Sequence, residues 1–293
     1  MKFIIQLLKS IYRGFISISP GKKIFVNHHS FRVPYFPQLA TGADHSITER
    51  WMGELLFSLY SEVGSKGQAP ILLDIGVNVG QTLVSFKSFF PDGEYRGFEP
   101  ISASVYYVEC LIRKNAISKS LIVPIGLSDY SGVSAIYVTD NNPTGSGSTM
   151  SAGIKSLEKK VTHYASVSRL DDVFGYLDIA HVDLIKIDVE GMEPAVLRGG
   201  VGIIRKFRPP IIVEILPPDQ AFHKRRVVRN EIEEFCQKEN YQIYKIKKGN
   251  RGEFLGLTPM IKKSSIDSTQ KNDRDYVLLH KLCEAKYARF ISS

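Results

Sequence analysis

Residues 70–81 read Pro70-Ile-Leu-Leu-Asp74-Ile-Gly76-Val-Asn78-Val-Gly80-Gln81, and the order of residue types in this stretch decides the fold. The first half is a short apolar run of the kind that forms a strand buried on both faces. The second half places Gly76 and Gly80 around Asn78 and then opens a segment with helical periodicity. Strand, glycine turn and helix in that order are the first step of a doubly wound sheet, in which glycines let the main chain approach a ligand at the carboxyl end of the strand. Glycines can also serve the turn alone, so the motif needs support from the rest of the chain.

Working outward, strands are expected at 70–75, 94–98, 120–125, 182–187 and 210–216, alternating with helices at 80–90, 101–115, 193–206 and 224–240. Such alternation predicts an α/β fold with a doubly wound, mostly parallel sheet and helices on both faces. Segments 241–246 and 276–280 are expected to close one side with an antiparallel edge strand, with the polar stretch 262–275 as a surface loop between them. Upstream, Ser46-Ile-Thr-Glu49 has the capping-box pattern, and Trp51, Leu55, Leu56, Leu59 and Tyr60 form one helical stripe over 46–61. Trp51 is therefore read as core. The stretch Thr139–Met150 is rich in Gly, Ser and Asn and is expected to be a functional lid, with mobile filler as the alternative. The domain is assigned to 46–293, preceded by an extension at 1–45.

Composition fits a folded globular protein: 43% hydrophobic and 23% charged residues over 293 positions, with a net charge of +8. The basic residues are scattered, and solvation accounts for them. Cys110, Cys236 and Cys283 form no CxxC, so neither a disulfide framework nor a zinc site is indicated and a cytoplasmic location is the default. No window reaches the roughly 18 apolar residues that a bilayer span needs. Residues 1–20 open MKFIIQLLKSIYRGF, a basic amphipathic pattern expected to form a helix docked on the protein, with peripheral membrane contact as the alternative.

The chemistry-bearing positions fall at strand ends. The turn at 76–80 is not the GxGxxG dinucleotide fingerprint, and no Gly-Lys-Ser/Thr is present, so a P-loop is excluded. Glu99 ends the strand at 94–98, where a carboxylate can accept hydrogen bonds from both ribose hydroxyls. Asp74 with Glu99 then reads as a nucleoside pocket without a phosphate grip, which points to S-adenosylmethionine rather than NAD. Asp183-Leu-Ile-Lys186-Ile-Asp188-Val-Glu190-Gly191 brings two carboxylates to the crevice end of a buried strand. On an extended strand Asp188 and Glu190 would share a face. Asp188 is the preferred general base, with Glu190 second. Glu214 arrives at the same edge, and a divalent metal on Asp188 and Glu214 is the alternative way to activate an acceptor hydroxyl. His163 and His181 flank the region and are read as structural.

With these pieces assembled the sequence resembles the FkbM family of methyltransferases. Three stretches carry the resemblance: residues 74–81, Gly97-Phe-Glu-Pro100 followed by Asn115, and Ser168-Arg-Leu-Asp-Asp172 leading to Ile185-Lys-Ile-Asp-Val-Glu-Gly191 with Glu193, Val196, Leu197, Arg198 and Gly199. They cover about 70–216, roughly half of the chain. The resemblance implies a class I methyltransferase (Rossmann-like) fold and O-methylation of a sugar hydroxyl or a related small polar acceptor, such as a glycan. It implies that Asp74, Gly76, Asn78 and Gly80 line the methionine side of the cofactor and that Glu99 holds the ribose. It also implies that Ser128 and Asp129 lie near the adenine. Val77 departs from the alanine more usual there, adding bulk without removing a polar contact. A noncatalytic glycan-binding protein on the same fold and a nucleotide-cofactor oxidoreductase are the alternatives. No nucleic-acid partner is expected, since neither an NPPY-like motif nor a basic stripe with interleaved aromatics is present.

Overall fold

The computed structural model describes residues 22–34, 50–63, 68–138, 160–215, 223–260 and 274–292. The expected helix at 1–20, the capping box at 46–49, the expected lid at 139–150 and nearly all of the 262–275 loop lie outside them.

Among the described residues the first element is a hairpin absent from the expected alternation, β1 (Lys22–Val26) and β2 (His29–Val33), followed by α1 (Arg50–Val63). The α/β alternation then runs β3 (Ile71–Ile75), α2 (Gln81–Phe89), β4 (Glu94–Phe98), α3 (Ser102–Lys114) and β5 (Ser120–Val123). Next come β6 (Gly126–Leu127), β7 (Gly132–Val138), β8 (Lys160–Ser168) and α4 (Leu170–Val173), then β9 (Leu184–Ile187), α5 (Glu193–Gly199), α6 (Val201–Phe207) and β10 (Ile211–Glu214). The chain closes with α7 (His223–Lys238), β11 (Tyr241–Lys248), β12 (Phe254–Pro259), β13 (Asp275–His280) and a 3₁₀ segment at Lys281–Phe290.

The main sheet has eight strands in the order β12-β11-β13-β10-β9-β3-β4-β5. Strands β10, β9, β3, β4 and β5 run parallel, while β13 pairs antiparallel with both β10 and β11, and β12 with β11. The doubly wound expectation holds. The antiparallel β13 is nevertheless interior, and β12, which the alternation did not include, is the antiparallel edge. Besides the β1-β2 hairpin, a small three-stranded sheet has the order β6-β8-β7.

Period-2 alternation explains the two cores. Leu72, Leu184, Ile212 and Val277 point to the face covered by α1, α2 and α3, with Trp51, Leu83, Phe86, Val108 and Leu111. Leu73, Ile185, Ile211 and Leu278 point to the opposite face, covered by α5, α6 and α7 through Leu197, Ile204, Ile232 and Phe235. Ile24, Phe31 and Val33 of the hairpin share the first core, so residues 22–33 pack on the domain they precede. The expected helix at 193–206 is two helices. A Cβ on Gly199 would lie 1.9 Å from the Ser128 carbonyl oxygen and one on Gly200 would lie 2.9 Å from Leu170. The glycine pair that admits these close approaches also interrupts the helix. Among the described residues no helix is long and apolar enough to cross a membrane.

Candidate active site

The order of the parallel strands reverses between β3 and β9, which makes their carboxyl ends the crevice where such sheets bind ligands. Register places Asp74 of β3 beside Lys186 of β9. Asp74 is fully buried; the Tyr95 hydroxyl donates to its Oδ2, and its Oδ1 faces Lys186 Nζ at 3.3 Å. Burial raises the Asp74 pKa against the opposing pull of Lys186 and Tyr95. Lys186 also donates to the Gly76 carbonyl at 2.9 Å and lies 3.3 Å from Asp188 Oδ2. One buried ammonium thus ties the glycine turn to the carboxylate at the end of the next strand.

The turn after β3 is built as its glycines required. Gly76 has φ +90°, and a Cβ there would lie 1.9 Å from the Asp188 carbonyl oxygen. Gly80 has φ +84° and caps α2. Asn78 takes the left-handed region at φ 51°, which asparagine tolerates better than most residues. Its N–H donates to Glu99 Oε2 at 2.8 Å, and the Ile101 N–H donates to Glu99 Oε1 at 2.9 Å. Glu99 therefore locks the turns after β3 and β4 together, and burial pushes its pKa up to about 7 although the two backbone donors pull it down. Asn78 Oδ1 is buried with no hydrogen-bond partner among the described residues. Gly97, whose Cβ would lie 2.5 Å from Val77 Cγ2, makes room for the bulk of Val77.

Asp188 and Glu190 do not share the face of an extended strand. β9 ends at Ile187, and Glu190 sits in the left-handed region at φ 54°, followed by Gly191 at φ 101°. The reversal still brings carboxylate oxygens of Asp188, Glu190 and Glu214 within 4.8 Å of one another, all on partly exposed residues. Burial raises the Glu214 pKa to about 9, with the Asp188 charge adding to it and Arg274, 2.9 Å from Oε1, opposing it. Burial alone would raise Asp188 as well, but Lys186 and a hydrogen bond with Glu214 outweigh it and hold Asp188 below the usual range. The two carboxylates are thus biased in opposite directions, Glu214 toward its neutral form and Asp188 toward its ionised form.

The other expected residues are placed as follows. Ser128 is buried, with its N–H on the Ser168 carbonyl at 2.9 Å, and exposed Asp129 pairs with Arg198 at 2.9 Å, which also binds Glu231. His181 lies 3.1 Å from Asp183, whose carboxylate accepts the Ile71 N–H at the opposite end of β3. His163 lies on β8, and its side chain is outside the described residues. Glu193, Arg274 and Tyr95 were not singled out as site residues by sequence reasoning. Glu193 is part of the family motif, whereas Arg274 lies beside a polar loop and Tyr95 within a strand, and neither carries a local signal.

Comparison with known proteins gives the following. Residues 74–264, well over half of the chain, match the model of the methyltransferase FkbM domain. The chain is similar to the 2-O-methyltransferase NoeI of Sinorhizobium fredii, 24% identical over 149 residues, which cover 47% of this chain and 60% of that protein. Among solved structures it is similar to methyltransferase FkbM from Methylobacillus flagellatus, at 15% identity and a TM-score of 0.47, over 79% of this chain and 48% of that one. It is also similar to the O-methyltransferase TomG from Streptomyces achromogenes in complex with SAM, at 15% identity and a TM-score of 0.44, over 84% and 83%. The chain thus spans less than two thirds of the length of NoeI and of the Methylobacillus protein.

Proposed function

The chain belongs to the FkbM methyltransferase family, and from that premise we propose that it is an S-adenosylmethionine-dependent O-methyltransferase acting on a hydroxyl of a sugar or related small polar acceptor. The observation that carries this reading is the junction of two turns at the switch point. A cofactor-type turn is locked by Glu99, and a partly exposed carboxylate, Asp188, is held ionised 3.3 Å from the lysine that binds that turn.

The residues fit the cofactor. Each Glu99 oxygen accepts one backbone N–H and keeps a lone pair for a ribose hydroxyl. The unpartnered Asn78 Oδ1 is an acceptor in the same turn. Gly76 and Gly80 leave the main chain bare beside it, while Asp74 stands behind the turn and supports it through Lys186. Ser128 and Asp129 are proposed for the adenine side. When bound, the cofactor supplies an electrophilic methyl carbon on a sulfonium.

The protein's share of the reaction is positioning and proton removal. With the cofactor bound, the crevice would hold the acceptor hydroxyl for methyl transfer, and Asp188 would take up the proton that the hydroxyl gives up. The opposite biases of the pair, Glu214 toward its neutral form and Asp188 toward its ionised form, favour Asp188 as the acceptor of that proton. Glu190 is the second candidate base on the same mouth. Methyl transfer to an oxygen is supported by the name of the 24% identical relative, a 2-O-methyltransferase, and a hydroxyl-bearing polar acceptor, such as a sugar, fits the lining of partly exposed carboxylates.

The test is transfer of label from methyl-labelled S-adenosylmethionine to a panel of free mono- and oligosaccharides. Wild type is expected to label at least one, and Asp188→Asn to retain fold and cofactor affinity while losing about 10²-fold or more in turnover. Turnover near wild type in Asp188→Asn refutes its role. A second reading has one observation in its favour: the three carboxylate oxygens within 4.8 Å of one another form a donor set suited to Mg²⁺ or Mn²⁺. It requires a chelator to silence the wild type and Asp188→Asn to lose any response to added metal.

A further inference from the structure

We infer that Glu193 is a positioning residue that shapes the 188–191 turn for methyl transfer, an inference that rests on the function proposed above. Glu193 opens α5 immediately before Pro194 and is buried at 2% exposure, so it cannot meet the acceptor itself. Its Oε1 accepts two backbone donors of the turn, the Gly191 N–H at 3.0 Å and the Val189 N–H at 3.3 Å.

The two ends of the turn are secured differently. Asp188 is fixed by the sheet, since its N–H donates to the Ile75 carbonyl at 2.9 Å and its own carbonyl oxygen lies where a side chain on Gly76 would stand. The far end carries two consecutive left-handed residues, Glu190 and Gly191. That conformation is costly for glutamate and persists only where the surroundings impose it. Packing does not impose it at Gly191, because a Cβ built there meets nothing within 4 Å. The Glu193 carboxylate supplies the constraint by holding the N–H groups on either side of Glu190. The reversal it enforces returns the Glu190 carboxylate toward Asp188 and Glu214 instead of letting the chain run on past them. Glu193 thus sets the shape of the mouth without touching what binds in it.

The experiment compares wild type with Glu193→Ala and Glu193→Gln as full-length chains. Three quantities are read: amide hydrogen exchange at Val189 and Gly191, affinity for S-adenosylhomocysteine, and kcat for the best acceptor of the saccharide panel. Glu193→Ala is expected to exchange both amides at least about tenfold faster and to lose kcat by about 10- to 100-fold through misplacement. Its affinity for S-adenosylhomocysteine should stay within about twofold, because the Glu99 side of the crevice is untouched. Glu193→Gln, which keeps an acceptor oxygen at the same reach, is expected to restore both amide protection and kcat. Unchanged exchange in a folded Glu193→Ala overturns the inference, as does faster exchange with wild-type kcat, or a Gln variant that restores neither. If the alanine variant does not fold, Glu193→Asp, one methylene too short to reach both donors, is expected to show the same split, and wild-type exchange and kcat in that variant overturn the inference. Absence of transfer by wild type refutes the proposed function separately, before any variant is compared.

Discussion

Replacing Lys186 by methionine tests whether one ammonium holds the two sides of the crevice together. Its Nζ contacts the Gly76 carbonyl at 2.9 Å, Asp74 Oδ1 at 3.3 Å and Asp188 Oδ2 at 3.3 Å. At an effective dielectric of ~20, a unit pair at that separation is worth about 5 kcal/mol before desolvation is subtracted. The Asp188 side chain is 39% exposed, so that half is screened and contributes about 1 kcal/mol or less. Asp74 is fully buried, and removing its counter-charge leaves a carboxylate that water cannot reach. Breaking such a pair typically costs about 3–5 kcal/mol, which sets the expected loss for Lys186→Met. In Lys186→Met/Asp74→Asn the orphaned charge is gone, and at least about half of the loss should return. The deficit of the single variant should also shrink as pH falls, because Asp74, with a raised folded-state pKa, can then be buried neutral. Denaturant unfolding of the three proteins at pH 7 and pH 5 reads all of this. A single variant within about 1 kcal/mol of wild type, or a double variant no more stable than the single, refutes the reasoning.

Glu99→Ala is expected to weaken S-adenosylhomocysteine binding by about 1–3 kcal/mol by calorimetry, since two ribose hydroxyls lose a charged acceptor; unchanged affinity in a folded variant removes Glu99 from the site. Gly76→Ala must adopt φ +90° and open a 1.9 Å approach to the Asp188 carbonyl, so it should lower both the thermal midpoint and the affinity, whereas wild-type values for both would show that the turn tolerates a Cβ. Burial, opposed by backbone donors, raises Glu193 to about 7 from 4.5, so the folded state holds a proton that the unfolded state has released between those pH values. Its contribution to stability therefore falls as pH rises through that window, by up to about 1.4 kcal/mol per pH unit, and a wild-type minus Glu193→Gln difference that is flat or of opposite slope refutes it.

Much of the fold was legible because the relevant rules are local. Apart from Asp74, the run from Ile71 to Ile75 is apolar, with Leu72 on one face and Ile71, Leu73 and Ile75 on the other, as only a doubly covered strand needs to be, and all five residues are buried. Gly76 and Gly80 announced positive φ, and both adopt it. The hairpin at 22–33 was not legible, because its short strands are half polar and are held by contact with a core assembled from elsewhere. The 193–206 helix was read as continuous although Gly199-Gly200 is a local breaker signal; the reason for the pair, its close approach to the distant Ser128 carbonyl and Leu170, is not local.

The sequence by itself determined the strand ends at which carboxylates appear, since a strand's end is marked by residues adjacent to it in the chain. Only the tertiary structure decided what those carboxylates do. Register put Lys186 beside Asp74, and reversal at Glu190 brought three acids from two strands together. Burial and proximity then raised the Glu214 pKa and lowered that of Asp188. Charge state depends on solvent exclusion and on neighbours a few ångströms away, and neither quantity follows from the order of residues along the chain.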